Sequence, residues 1–167
     1  MVTPADAEWL ISRAGLQGLD SIAPLDGGWD NTNLQLMLES GSSFVLKAWY
    51  ANTVEEVGRV IARHVHLHEH GIPTTVPIML TDGSLMAIKD GVAWTLLPFV
   101  KGGILGLDEA SVRSLGETQA KMHLIPGADC FPKSYRMGFE LFEEVISLSS
   151  RMGVSNPFIE MLSSRIA

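Results

Sequence analysis

The feature that most constrains the fold of this chain is a change of pattern at Gly102-Gly103. Before these glycines, short apolar or alternating segments lie between glycine-containing turns, which is typical of antiparallel strands. The predicted strands are 21–25, 34–38, 44–49, 76–80, 85–89 and 92–100. After the glycines, apolar residues recur at helical spacing. The pattern therefore predicts an α+β fold, with a five- or six-stranded antiparallel sheet followed by helices only.

The remaining elements of the chain are predicted to be helices. Thr3-Pro4-Ala5-Asp6 combines a capping hydroxyl, an early proline and an acid three residues after the hydroxyl, which predicts a first helix. Asn52-Thr53 begins a second helix that extends to about His70 and interrupts the sheet. Further helices are predicted at 108–124, 139–148 and 157–166. We expect two domains, 1–101 and 102–167.

Composition narrows the classes of function. The chain has 167 residues, 12 of them basic and 19 acidic, so its formal net charge is −7. An acidic chain is a poor candidate for non-specific binding of nucleic acid, which needs a basic face. The longest apolar run, 92–100, is too short for a membrane helix, and the N-terminus has no signal-peptide pattern. With a single cysteine there is no internal disulfide, and we expect a cytoplasmic protein without nucleic-acid or membrane partners.

The segment 26–33 contains residues that could bind phosphate. Gly27 and Gly28 allow close approach of the backbone to a ligand, and Asn31, Thr32 and Asn33 add side-chain donors. The same residue types mark ordinary hairpin turns more often than phosphate sites. The segment alone leaves both interpretations open.

Lys47 lies inside a predicted strand. Strand alternation places it on the same face as Val45 and Trp49. Such a lysine is either a charge that protects an edge strand from aggregation or a functional cation over a cleft.

Four histidines in the second helix resemble a metal cluster at first sight. On a helix, His64 and His68 share one face, whereas His66 and His70 share nearly the opposite one. At most two can therefore reach one ion, fewer than a structural zinc site uses. We interpret them as a solvated helix face and predict no metal site in this chain.

The order of the motifs resembles a known family. A glycine turn with Asn-Thr-Asn is followed by Val-Leu-Lys, by a helix that ends in His-Gly-Ile-Pro, by Leu-Leu-Pro-Phe-Val and by Ala-Lys-Met-His-Leu. Over about 19–142 the chain resembles the N-terminal half of the aminoglycoside phosphotransferase and choline kinase family, which has a protein-kinase-like fold. The nearest branch is the homoserine-kinase-like one.

This resemblance implies a role for each matching residue. Gly27, Gly28, Asn31, Thr32 and Asn33 would form the loop over the ATP phosphates. Lys47 would bind the α- and β-phosphates, and Glu56, or less favourably Glu55, would position that lysine. The backbone of 96–100 would be the hinge that pairs with adenine, and the residues implied there are Leu97, Pro98, Phe99 and Val100.

The sequence also departs from the family. Its members carry a later His-Gly-Asp-x-x-x-x-Asn segment and an Asp that binds Mg²⁺, whereas none of the five histidines here is followed two positions on by Asp. The resemblance therefore implies the ATP-binding part of a small-molecule kinase, truncated before its catalytic loop and inactive alone, with the Mg²⁺ ligands outside it. ATP and a small alcohol are the implied partners. The alternative is a non-enzymatic nucleotide-binding module, or one that dimerises through an exposed helical face such as that of 157–166.

Overall fold

The computed structural model describes residues 2–26, 30–131, 139–153 and 157–166. Its elements in chain order are α1 (Pro4–Arg13), β1 (Leu19–Pro24), β2 (Thr32–Leu38), β3 (Ser43–Ala48), α2 (Val54–Glu69), β4 (Ala87–Lys89), β5 (Val92–Pro98), α3 (Glu109–Leu124), α4 (Phe139–Arg151) and α5 (Pro157–Ile166). Contacts divide the chain into two units, 1–131 and 132–167. The first contains the sheet with α1, α2 and α3, and the second contains α4 and α5. The predicted α+β class is confirmed, whereas the predicted boundary between 101 and 102 stays a prediction.

One antiparallel sheet organises the first unit. Its strand order is β1-β2-β3-β5-β4, so β3 is central and its neighbours are β2 and β5. Lys47 pairs with Asn33 on β2 and with Thr95 on β5. This register places the lysine near the middle of the sheet and rules out the edge-strand explanation for it.

The two faces of the sheet have different coverings. Helix α1 packs on the face that presents Leu36, Leu46 and Leu96, whose side chains are fully buried with Leu10 of α1. On the other face, α2 buries Val57 and Ile61 against Ala93 of β5 in a smaller cluster. Alternation along β3 puts Leu46 and Ala48 in the first core and Val45 and Lys47 on the α2 side.

The predicted strand 76–80 is wrong. These residues have no strand assignment, although the Ile78 N–H donates to the Leu96 carbonyl at 2.7 Å. Pro77 has no N–H, so this segment cannot complete a ladder beside β5. Two other strands are shorter than predicted, since 85–89 is reduced to β4 and 92–100 ends at Pro98. The sheet therefore has five strands in the described residues.

The helix starts follow the predicted capping chemistry. Thr3 and Asp6 form a reciprocal capping box at α1, and Thr53 and Glu56 form a second one at α2. Asp108 caps α3 through the Ser111 N–H at 3.0 Å. No helix within the described ranges is long and apolar enough to cross a membrane.

The α1 cap gives a test of acid stability. Hydrogen bonds from Lys89 and from Thr3 hold the pKa of Asp6 at about 2, below its ordinary 3.8. This depressed pKa stabilises the fold above about pH 4, and the contribution is lost as pH falls towards 2. We expect Asp6→Asn to lower the free energy of unfolding by about 1 kcal/mol at pH 7, measured by urea titration. The difference from the parent chain should shrink below pH 4.

The matched control is the same substitution in a Lys89→Met chain. Because the lysine is the largest cause of the shift in the pKa of Asp6, Asp6→Asn should cost less there. A loss that is equal in both backgrounds and constant from pH 7 to pH 3 would contradict this account.

Candidate functional site

The candidate site is built around Lys47 on the α2 side of β3. Its side chain lines a cavity of about 170 Å³ between the sheet and α2. Other lining residues are Trp49, Val60, Ile61, His64, Thr75, Pro77, Thr95 and Leu97. Most of these side chains are apolar, so an ammonium group lies among groups that cannot neutralise it.

Trp49 and Thr95 surround the lysine. Lys47 Nζ lies 3.8 Å from the centroid of the Trp49 ring, which is a cation–π contact. The indole Nε1–H of Trp49 donates to Thr95 Oγ1 at 3.0 Å. The Thr95 side chain is only 1% exposed, so this hydrogen bond is shielded from water. Within the described ranges no carboxylate forms an ion pair with Lys47.

Burial lowers the pKa of Lys47 below its ordinary value. Removal from water penalises the charged form of an amine, and no anion within the described residues compensates for it. An anionic ligand placed beside Nζ would reverse this shift because it stabilises the ammonium form. The arrangement is therefore suited to binding anions.

Helix α2 presents an imidazole to the cavity. His64 Nδ1 lies 2.8 Å from the Thr75 carbonyl oxygen and 2.9 Å from Thr74 Oγ1. These contacts fasten the segment after α2 to the helix and fix the orientation of the ring. The α2 side chains that line the cavity are Val60, Ile61 and His64, and none of them is acidic.

The structure gives Glu56 a role other than the one implied by the resemblance. Its carboxylate accepts from the Thr53 N–H at 2.8 Å and from the Thr53 hydroxyl at 3.1 Å, and so caps α2. These hydrogen bonds lower the pKa of Glu56. Glu55 pairs with Arg59 along the helix surface. Among the described residues no hydrogen bond or ion pair joins either acid to Lys47, and the positioning role implied for Glu56 stays a prediction.

The predicted phosphate loop is only partly described. Gly27 and Gly28 lie outside the described residues. Thr32 and Asn33 belong to β2, where they pair with Ala48 and Lys47, so they extend the strand instead of the turn.

Asn31 has a local partner. Its side chain accepts from the Ala51 N–H and donates to Asn52 Oδ1, both at 3.3 Å. The amide therefore ties the start of β2 to the connection between β3 and α2.

The predicted hinge residues differ in what they can offer to a ligand. Leu97 lines the cavity, and Pro98, the last residue of β5, has no N–H. The Phe99 N–H donates to the Ser43 carbonyl at 3.2 Å. Val100 follows the strand and is 68% exposed. Of the last three predicted hinge residues, Pro98, Phe99 and Val100, Val100 is therefore the one whose N–H remains for a ligand.

The interpretation of the histidines as a solvated face is wrong for two of them. Besides His64 in the cavity, His66 Nε2 lies 2.9 Å from the Pro126 carbonyl, and the His66 ring contacts Phe131 edge-on. Arg63 donates to the Cys130 carbonyl at 2.9 Å on the same helix. Together these contacts hold the segment 126–131 against α2. Within the described residues no group of three or more potential ligands could hold a metal ion.

Sequence reasoning missed Thr95 and His64 as residues of the site. Thr95 lies in an otherwise apolar strand, Val92–Pro98. A polar residue at such a position is a signal in the sequence that could have identified it. Its importance depends on the register that sets it opposite Lys47, and the sequence does not give that register. His64 was hidden among His66, His68 and His70, of which His66 and His70 have other partners.

Comparisons with known proteins give a family and a fold. Residues 21–148 match the phosphotransferase enzyme family. A comparison with curated proteins gives no match.

Among solved structures, this chain is similar to a spectinomycin phosphotransferase in complex with ADP and spectinomycin. The TM-score is 0.63 at 16% identity, over 90% of this chain and 54% of that one. It is also similar to an aminoglycoside phosphotransferase from Alicyclobacillus acidocaldarius, with a TM-score of 0.58 at 14% identity, over 98% and 49% of the two chains. An amicoumacin kinase in complex with AMP-PNP and Ca²⁺ gives a TM-score of 0.54 at 18% identity, over 86% and 51%. The chain thus spans about half the length of these proteins.

The uncompensated burial of Lys47 gives a second test. After reductive ¹³C-methylation, the amine resonance of Lys47 should titrate at lower pH in the folded chain than in the same chain unfolded in urea. Lys47→Arg identifies the resonance by its loss. Equal midpoints in the folded and unfolded chains would contradict the desolvated environment.

Proposed function

Because this chain belongs to the phosphotransferase enzyme family, we propose that it binds ATP at Lys47 and serves in the transfer of the γ-phosphate to a hydroxyl group of a small molecule. The observation that carries the proposal is the partly buried ammonium of Lys47 on the same sheet face as Leu97, with the exposed Val100 just beyond the end of β5. A nucleotide combines the anion and the flat apolar group that such a site can accept.

Lys47 supplies the charge for this function. Phosphoryl transfer depends on fixed positive groups that hold the phosphates and neutralise the charge developing on them. Since Lys47 has no carboxylate partner among the described residues, its full charge can act on phosphate oxygens. We assign it to the α- and β-phosphates.

The base is proposed to lie at the end of β5. Leu97 offers an apolar surface on the cavity side. Since Pro98 lacks an N–H and the Phe99 N–H is used by Ser43, the hydrogen bond to the base is assigned to the backbone at Val100. The resemblance had implied all four residues from Leu97 to Val100 as equal candidates.

Nucleotides in the similar proteins support this assignment. The spectinomycin phosphotransferase structures contain ADP or AMP, and the amicoumacin kinase contains AMP-PNP with Ca²⁺. That this chain binds ATP is proposed from its cavity and from its family.

The described residues do not fit a role in holding Mg²⁺. No cluster of three or more potential ligands exists among them, and the sequence has no His-x-Asp segment. We therefore propose that this chain binds the nucleotide and that Mg²⁺ is held by residues other than those described. The acceptor alcohol is proposed to be bound by other parts of the protein that carries this chain.

The proposal is tested by titrating Mg-ATP into the chain in a calorimeter. Lys47→Ala should weaken binding at least tenfold, since a charge-assisted contact contributes about 1.5–3 kcal/mol. Lys121→Ala removes the same charge from exposed α3 and should leave the affinity unchanged. Equal affinities for all three chains, or no binding by the parent chain, would overturn the site assignment.

The hinge assignment has its own test. Val100→Pro removes one backbone N–H at the exposed strand end without shortening β5. It should weaken ADP binding about threefold to tenfold, since one hydrogen bond contributes about 1 kcal/mol. Val100→Ala, which keeps the N–H, is the control. If both variants bind ADP alike, the base does not bond to this amide.

A further inference from the structure

We propose that Trp49, held in place by Thr95, is the positioning residue for Lys47, so that an aromatic face orients the nucleotide-binding ammonium where the resemblance implied a carboxylate. The inference rests on the proposed function for its biological meaning, but its geometry stands without a nucleotide. It concerns two side chains to which the family match gives no role.

A lysine on a strand needs a contact to hold its amine at one place. Its four-carbon stem rotates freely, and the acids implied for this task, Glu56 and Glu55, are engaged in the first turn of α2. The described contact of the Lys47 amine is the Trp49 ring, 3.8 Å from Nζ to the ring centroid. Both side chains project from the same face because they are two residues apart in an extended segment.

The ring itself is fixed from the neighbouring strand. Thr95, which pairs with Lys47 in the β3–β5 register, accepts the Trp49 indole N–H at 3.0 Å. The Trp49 backbone N–H also donates to the Ala93 carbonyl at 3.0 Å. Backbone and side chain are thus both attached to β5, and the plane of the ring is set relative to the sheet that carries the lysine.

An aromatic holder suits an anion site electrostatically. The ring face attracts the ammonium through its quadrupole and carries no net charge. A carboxylate in the same position would add a negative charge near the incoming phosphate oxygens, whereas the ring adds none. With Trp49 as the holder, no counter-charge meets the ammonium until the ligand arrives.

The test uses two readouts, one of which needs no nucleotide. After ¹³C-methylation of the lysines, the Lys47 methyl resonance should be shifted upfield by the Trp49 ring current. Trp49→Leu should abolish this shift, Trp49→Phe should keep part of it, and Tyr50→Leu, which removes an exposed neighbouring ring, should leave it unchanged. Loss of the shift in Trp49→Leu with partial rescue in Trp49→Phe supports positioning, and an unchanged shift in Trp49→Leu overturns it.

The second readout is affinity for ATP. Trp49→Leu should weaken binding about threefold to tenfold in the parent chain and have no effect in a Lys47→Ala chain, because the ring acts through the lysine. Equal losses in both backgrounds would mean that Trp49 acts only as packing, and would overturn the proposal. Thr95→Val keeps the shape and removes the acceptor. It should give a smaller loss in the same direction, and it replaces Trp49→Leu if that variant does not fold.

The two readouts separate the failures. If Lys47→Ala leaves ATP affinity unchanged, the proposed function fails, while the ring-current shift still decides whether Trp49 holds the amine. If Lys47→Ala weakens binding but Trp49→Leu leaves both the shift and the affinity intact, only the positioning role fails.

Discussion

The structure depends on the central position of β3, whose two faces serve opposite purposes. Leu46 and Ala48 point into the core under α1 and are fully buried. Lys47, between them, points to the α2 side and lines the cavity. The strict two-residue period of a strand is what allows one short segment to anchor the hydrophobic core and to present a cation. A shift of register by one residue would bury the charge under α1 and expose the leucine, so the core and the site are specified together.

Helix α2 contributes to the site through its walls and its contacts with later segments, while its acids are used elsewhere. The cap formed by Thr53 and Glu56 sets where the helix begins, and this determines that Val60, Ile61 and His64 face the cavity. His64 then holds the segment at Thr74 and Thr75, which leads back to the sheet. In this structure the carboxylate of Glu56 therefore meets the demand of the helix N-terminus for hydrogen-bond acceptors.

The parts of the fold that follow from local chemistry were predictable from the sequence. The capping boxes at Thr3 and Thr53 placed the starts of α1 and α2, and strand alternation put Lys47 and Trp49 on one face. Predictions failed where long-range pairing decides. The segment 76–80 was predicted as a strand, but Pro77 breaks its ladder. Asn31 bonds to Ala51 and Asn52, which no local pattern predicts, and its role towards phosphate stays a prediction. The opposition of Lys47 and Thr95 is a property of register across more than 40 residues, which no local pattern encodes.

The same distinction bears on the ligand that we propose for the site. A lysine neutralised by a carboxylate would offer a dipole, whereas a lysine against an indole face offers a net charge inside apolar walls. Transfer of such a charge out of water is unfavourable, so the protein gains most from a ligand that brings an anion to Nζ and covers the apolar walls at the same time. A free phosphate meets only the first requirement and an apolar alcohol only the second. The proposed nucleotide would meet both, with its phosphates at Lys47 and its base towards Leu97 and Val100, and for this reason we propose a nucleotide over either fragment alone.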